Sequence, residues 1–97
     1  AITLKETGGG VKKPGDTTRL TCQVSGFSLS NNDVSWVRQS PGQGLQWLGT
    51  MWDDGSTDLS PSIKDRTSIS RDVPKGEVYL DISKMKTEDT GTYYCAR

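Results

Sequence analysis

The sequence predicts an all-β fold, a sandwich or a barrel. Three observations lead there. Apolar residues alternate with polar ones in short runs, helical periodicity is almost absent, and clusters of Gly, Pro, Asp and Ser separate the runs. The chain has 97 residues, which fits one domain spanning residues 1–97.

The elements follow in order. Ile2 to Thr7 reads as a first strand, and Gly8-Gly9-Gly10 suits a kink where an edge strand passes between sheets. Lys13-Pro14-Gly15-Asp16 is a turn. Leu20, Cys22 and Val24 then alternate with Thr21 and Gln23, the pattern of a half-buried strand with Cys22 inward. Ser25 to Asp33 is loop-like, with Phe27 and Leu29 tucked beneath it. Val34 to Gln39 is a strand that places Val34 and Trp36 on one side, Val37 and Gln39 on the other.

Ser40-Pro41-Gly42 turns the chain into a strand from Leu45 to Met51. Asp53-Asp54-Gly55 reads as a hairpin tip, because Asp-Gly tolerates the positive φ such turns need. Thr57 to Leu59 returns as a short edge strand ended by Ser60-Pro61. Arg66 to Arg71 is the next strand, and Asp72 to Gly76 turns it into one whose Val78, Leu80 and Ile82 point inward, Tyr79 and Asp81 outward. Lys84 to Asp89 is a connection in which Met85 plugs the end of the core. Thr90 to Arg97 is the last strand, with Gly91, Tyr93 and Cys95 on one face. The total is eight or nine strands.

Composition limits the chemistry. Hydrophobic residues make up 31% of the chain, so the core is thin and a cross-link is expected to support it. Cys22 and Cys95 are the only cysteines. Closing so long a loop stabilises a fold by roughly 4 kcal/mol on chain-entropy grounds, and implies an oxidising, extracellular setting. Two buried free thiols are the alternative. The 12 basic and 12 acidic residues balance, and no basic stripe points to nucleic acid. Apolar runs are too short to span a membrane, so no direct membrane contact is expected. The N-terminus lacks a basic region followed by an apolar one, which reads as a mature form without a signal peptide. With no histidine and both cysteines assigned to a cross-link, Ser-His and Cys-His nucleophiles are excluded. Asp33 with Asp53 or Asp54 is the remaining carboxylate pair, and solvation of loop tips is its plainer reading. No catalytic residue, metal or cofactor is expected.

Cys22, Trp36 and Cys95 fall on the inward faces of three strands. Two packed sheets lie about 10 Å apart, a gap that a disulfide and an indole fill. Tyr93 stands two residues before Cys95, the spacing of a tyrosine corner, whose hydroxyl bonds the backbone of the preceding connection. With Leu20-Thr21-Cys22, Trp36-Val37-Arg38-Gln39, Pro41-Gly42, Gly44-Leu45-Gln46-Trp47-Leu48-Gly49 and Glu88 through Arg97, the whole chain resembles an immunoglobulin heavy-chain variable domain. Trp36-Val37-Arg38-Gln39 is the heavy-chain form of the motif.

The resemblance implies a variable-type Greek-key sandwich. It implies antigen recognition by an antibody or B-cell receptor, secreted or on the outer face of the plasma membrane. A light-chain variable domain is the implied partner, on Val37, Gln39, Gly44, Leu45, Trp47 and Tyr94. Antigen contacts fall in two hypervariable loops, about Gly26 to Ser35 and Thr50 to Asp58, on Asn31, Asn32, Asp33, Trp52, Asp53, Asp54, Ser56 and Asp58. Arg66 and Asp89 are implied to pair at the lower end of the domain, joined by Arg38. Another immunoglobulin-superfamily receptor with a variable-type domain is the alternative, since the Cys22–Trp36–Cys95 set and Tyr93 serve it equally. Relatives of this type continue past Cys95-Ala96-Arg97 into a third hypervariable loop and a final strand. The sequence is therefore expected to correspond to the V-segment-encoded part, without that strand, and to fold poorly alone. Ala1, Pro61, Asp81 and the turn Asp72-Val73-Pro74-Lys75-Gly76 depart from the usual pattern and leave species and subgroup open.

Overall fold

A computed structural model describes residues 1–97. It contains β1 (Thr3–Thr7), β2 (Thr18–Ser25), β3 (Val34–Gln39), β4 (Leu45–Met51), β5 (Thr57–Leu59), β6 (Thr67–Asp72), β7 (Glu77–Ile82) and β8 (Thr92–Ala96). Three single 3₁₀ turns, Leu29–Asn31, Lys64–Arg66 and Thr87–Asp89, supply the only helical backbone. One sheet has the order β1-β2-β7-β6 and the other β5-β4-β3-β8, and every neighbouring pair is antiparallel. This is a two-sheet sandwich, one of the two architectures the alternation predicts and the one the resemblance implies.

Alternation decides what faces the interior. In β2, Leu20, Cys22 and Val24 are buried, and in β7 Val78, Leu80 and Ile82 are buried opposite them. The pairing register sets Leu20 across from Leu80 and Cys22 across from Val78, so the apolar side chains of both strands share one face. Val34 and Trp36 of β3, Leu48 and Met51 of β4 and Cys95 of β8 complete the far wall. Trp36 is wholly buried against a Cys22–Cys95 disulfide that joins β2 to β8 with a Cα separation of 6.2 Å. Gly49 lies where β4 passes β5 and β6: a Cβ there would stand 2.6 Å from the Asp58 carbonyl oxygen and 2.7 Å from Ile69 Cδ1. The close approach of these strands therefore requires glycine.

The structure differs from the sequence expectations at several strand ends; β6 runs on to Asp72 and β8 stops at Ala96. Ile2 lies outside β1, and residues 8–17 join no strand, so Gly8-Gly9-Gly10 end β1 instead of carrying it into the second sheet. Consecutive glycines lose the most entropy on extension, and Val11 beyond them is fully exposed with no sheet to pack on. Arg66 ends a 3₁₀ turn instead of starting β6, because its guanidinium is drawn to Asp89 and the Ser83 carbonyl. Thr90 belongs to the turn before β8, its amide donating to the Thr87 carbonyl at 3.2 Å. Gly91 follows at φ 156° and clears the Gln39 backbone, so β8 begins at Thr92.

Candidate functional site

Two surfaces emerge from this frame, a strip on the outer face of the β5-β4-β3-β8 sheet and the loop end of the sandwich. The strip depends on an irregularity in pairing. Trp36 is opposite Gly49, but Val37 is opposite Trp47, so β4 carries one extra residue, Leu48, at a bulge. Leu48 turns into the core while Trp47 stays outside. The shift puts Trp47, Val37 and Tyr94 in one row across β4, β3 and β8, and Leu45, Gln39 and Thr92 in the next. Leu45 is 66% exposed, Trp47 43% and Tyr94 41%, with Val37 half-buried between them. Trp47 is held over the sheet by its indole N–H, which donates to Thr50 Oγ1 at 3.0 Å; Thr50 in turn bonds the Ser35 hydroxyl at 2.7 Å. Gln39 and Gly44 are exposed at the edge of the strip.

At the loop end, the segment between β2 and β3 is anchored by Leu29, buried, and Phe27, packed against the core. Ser28 caps its 3₁₀ turn by accepting from the Ser30 amide. Asn32 is only half exposed: its side-chain amide turns inward to donate to the Ser28 carbonyl at 2.8 Å and to Asn31 Oδ1 at 2.9 Å. Asn31 and Asp33 are exposed, and Asp33 Oδ1 accepts from the Asp53 amide at 2.9 Å, tying this loop to the β4–β5 hairpin.

That hairpin is tight. The Trp52 amide donates to the Ser56 carbonyl, the Gly55 amide donates back to the Trp52 carbonyl at 3.0 Å, and Gly55 takes φ 88°. The Trp52 indole donates to Asp58 Oδ2 at 2.8 Å and remains 38% exposed. Asp54 Oδ1 accepts from the Ser56 hydroxyl at 2.6 Å and the Ser56 amide at 2.9 Å. These two bonds hold the Asp54 carboxyl below the usual carboxylate range. Asp33, Asp54 and Asp58 thus each use an oxygen to shape the loops, while Asp53, Asp54, Ser56 and Asp58 stay exposed at the surface. Asp33 is bonded to the Asp53 backbone and does not form a carboxylate pair with it.

Sequence reasoning passed over Arg71. Its guanidinium donates to the Leu29 carbonyl at 2.8 Å and to the Asp53 carbonyl at 3.1 Å, so one β6 side chain supports both loops from below. A signal existed: Arg71 has the same strand parity as inward-facing Thr67 and Ile69, and an inward cation requires acceptors. Glu6 and Arg97 were also missed. Glu6 accepts from the Cys95 amide at 3.0 Å, and the Arg97 guanidinium lies over the Phe27 ring at 5.3 Å.

The opposite end holds a buried charge cluster. Arg66 donates two parallel bonds to Asp89, at 2.8 and 2.6 Å, and Arg38 approaches the same carboxylate at 3.6 Å. The Lys86 amide donates to Asp89 Oδ2, and the Tyr93 hydroxyl donates to the Asp89 carbonyl at 2.6 Å. Burial pushes the Asp89 carboxyl up, but the bonds from Arg66 and the Lys86 amide outweigh it, with further help from the charges of Arg66 and Arg38. The net direction is down.

Comparison with known proteins places this geometry. Residues 11–97 match the immunoglobulin V-set domain. The chain is 48% identical over 95 residues to the mouse (Mus musculus) Ig heavy chain V region MOPC 141, a match covering 98% of this chain and 66% of that protein. It is likewise 48% identical over 95 residues to the Xenopus laevis Ig heavy chain V region XIG14, covering 98% of this chain and 70% of that one. The chain therefore spans about two thirds of the length of these relatives. A V-set sandwich with its disulfide, its outer-face strip and two interlocked loops, at this similarity over nearly its whole length, belongs to the immunoglobulin V-set family as an antibody heavy-chain variable domain.

Proposed function

We propose that this domain pairs with a light-chain variable domain through the Trp47–Val37–Tyr94 and Leu45–Gln39 rows and presents its loop end to antigen. The observation that carries the pairing is the exposure of Leu45, Trp47 and Tyr94 together on one sheet face. An exposed apolar cluster of this kind marks an interface. Gln39 adds a side-chain amide that can both donate and accept, which suits a hydrogen bond across such an interface. The test is sedimentation of the chain with and without a light-chain variable domain. A one-to-one complex weakened by Leu45→Arg is expected; a monomer indifferent to the light chain overturns the reading.

Asn31, Asn32, Asp33, Trp52, Asp53, Asp54, Ser56 and Asp58 are the proposed antigen contacts, with Trp52 as the rigid aromatic anchor. Asp33, Asp53, Asp54 and Asp58 lie together at this end and make it acidic. A basic epitope follows, and binding by the assembled antibody should weaken as salt rises. Salt-independent binding counts against it. The proposed role is recognition without catalysis, in a secreted or cell-surface protein; a Cys22–Cys95 disulfide, which persists in oxidising compartments, supports that setting.

A further inference from the structure

The β4–β5 hairpin contains a step found nowhere else in the chain. Of nine aspartates, only Asp54 precedes glycine; the others precede Thr, Val, Asp, Leu, Arg or Ile. A side chain on the following residue shields its backbone nitrogen, and glycine offers no shield. An Asp-Gly step is therefore open to attack by that nitrogen on the aspartate carboxyl carbon. Asp54 and Gly55 are both exposed, at the tip of the loop.

The folded hairpin restrains both reacting groups. The Gly55 N–H is engaged with the Trp52 carbonyl at 3.0 Å. The Asp54 carboxylate is turned toward Ser56, which binds the same oxygen through its hydroxyl at 2.6 Å and its amide at 2.9 Å. We propose that Asp54-Gly55 is a spontaneous isomerisation site, and that the Ser56 hydroxyl is the positioning group that keeps it slow in the folded domain. The same contacts favour the ionised carboxylate, which is a poorer electrophile than the protonated acid.

The chemistry needs no co-reactant beyond water. The Gly55 nitrogen forms a bond to Asp54 Cγ. The carboxyl oxygen leaves as water, taking the amide hydrogen and one proton from solvent when the carboxyl starts ionised. A five-membered succinimide results. Water then adds to one of its two carbonyls. Addition at Cγ restores aspartate; addition at the main-chain carbonyl leaves the chain running through Cγ as isoaspartate, with no net change in composition. The extra backbone carbon between Asp54 and Gly55 breaks the spacing that pairs Trp52 with Gly55 and Ser56. The consequence is a reshaped second loop and a displaced Trp52, whatever the domain binds.

The experiment ages the whole 97-residue chain at physiological temperature and near-neutral pH, native and in urea. Peptide mapping resolves isoaspartate from aspartate, and an isoaspartyl methyltransferase counts it independently. In the native chain, isoaspartate is expected to accumulate slowly at Asp54 and at no other aspartate. Ser56→Ala is expected to raise the native rate several-fold, Ser56→Thr to leave it unchanged, and urea to bring all three chains to one fast rate. A thermal melt of each variant separates a local release from unfolding. Equal native rates for folded Ser56→Ala and the wild-type chain would overturn the role of Ser56. A lack of isoaspartate at Asp54 in urea would overturn the site itself.

Discussion

Glu6 and Cys95 are joined across the sandwich: the Cys95 amide donates to a Glu6 carboxylate oxygen at 3.0 Å, while Glu6 also stands opposite Cys22 in the β1–β2 register. One carboxylate therefore touches the backbone of one half-cystine from a strand paired with the other. The Cys95 amide is buried beside the disulfide, and on its other flank β8 is paired with β3. Glu6→Ala leaves that donor without its acceptor and should cost about 1–3 kcal/mol. Glu6→Gln keeps an accepting oxygen and should cost less. Urea unfolding of both variants decides this, and an unchanged midpoint for Glu6→Ala would count against it.

The Asp89 carboxyl lies below its ordinary range in the folded chain. The unfolded carboxyl has a pKa of about 3.9. A depressed folded pKa means the stabilisation is complete above the unfolded value and is lost as pH falls through the folded one. The pH–stability curve should therefore decline below about pH 4. Asp89→Asn should flatten that decline and cost about 3–5 kcal/mol at neutral pH, because it leaves the Arg66 and Arg38 guanidiniums buried without a counter-charge. Denaturant titrations across pH measure both effects.

Arg71 couples the loops through carbonyls of Leu29 and Asp53. Arg71→Ala should destabilise the domain by about 1.5–3 kcal/mol, the range for bonds to a charged donor. It should also speed hydrogen exchange at the Gly55 and Trp52 amides, which close the hairpin, more than at the β2 and β7 amides. Uniform exchange across the chain would show that Arg71 supports the sandwich and not the loops.

The Cys22–Cys95 bridge closes a loop with a sequence separation of 73. Replacing both cysteines with alanine should cost about 2–5 kcal/mol. A thiol assay on the denatured, unreduced chain should find no free thiol. Two free thiols would return the alternative of buried, unlinked cysteines.

Much of this molecule was determined by the sequence itself. Period-two alternation is a local property, so β3, β4 and β5 carry the bounds that alternation and turn residues assign them, and Leu20, Cys22, Val24, Val78, Leu80 and Ile82 point as their parity dictates. The Trp36–Cys22–Cys95 set, Tyr93 and the Asp54-Gly55 tip were legible for the same reason: each requires a particular residue type at a fixed spacing. The tertiary structure decided what depends on neighbours distant in the chain. The extra residue at Leu48 is invisible without β3 alongside, yet it brings Trp47 level with Val37 and Tyr94. The fate of Gly8-Gly9-Gly10 was a matter of whether a sheet edge received the strand, and none did. Arg71 and Glu6 are ordinary charges in the sequence. Their roles arise because folding carries each to a buried polar group that water has left, and a desolvated carbonyl or amide must be paired by whatever charge lies within reach.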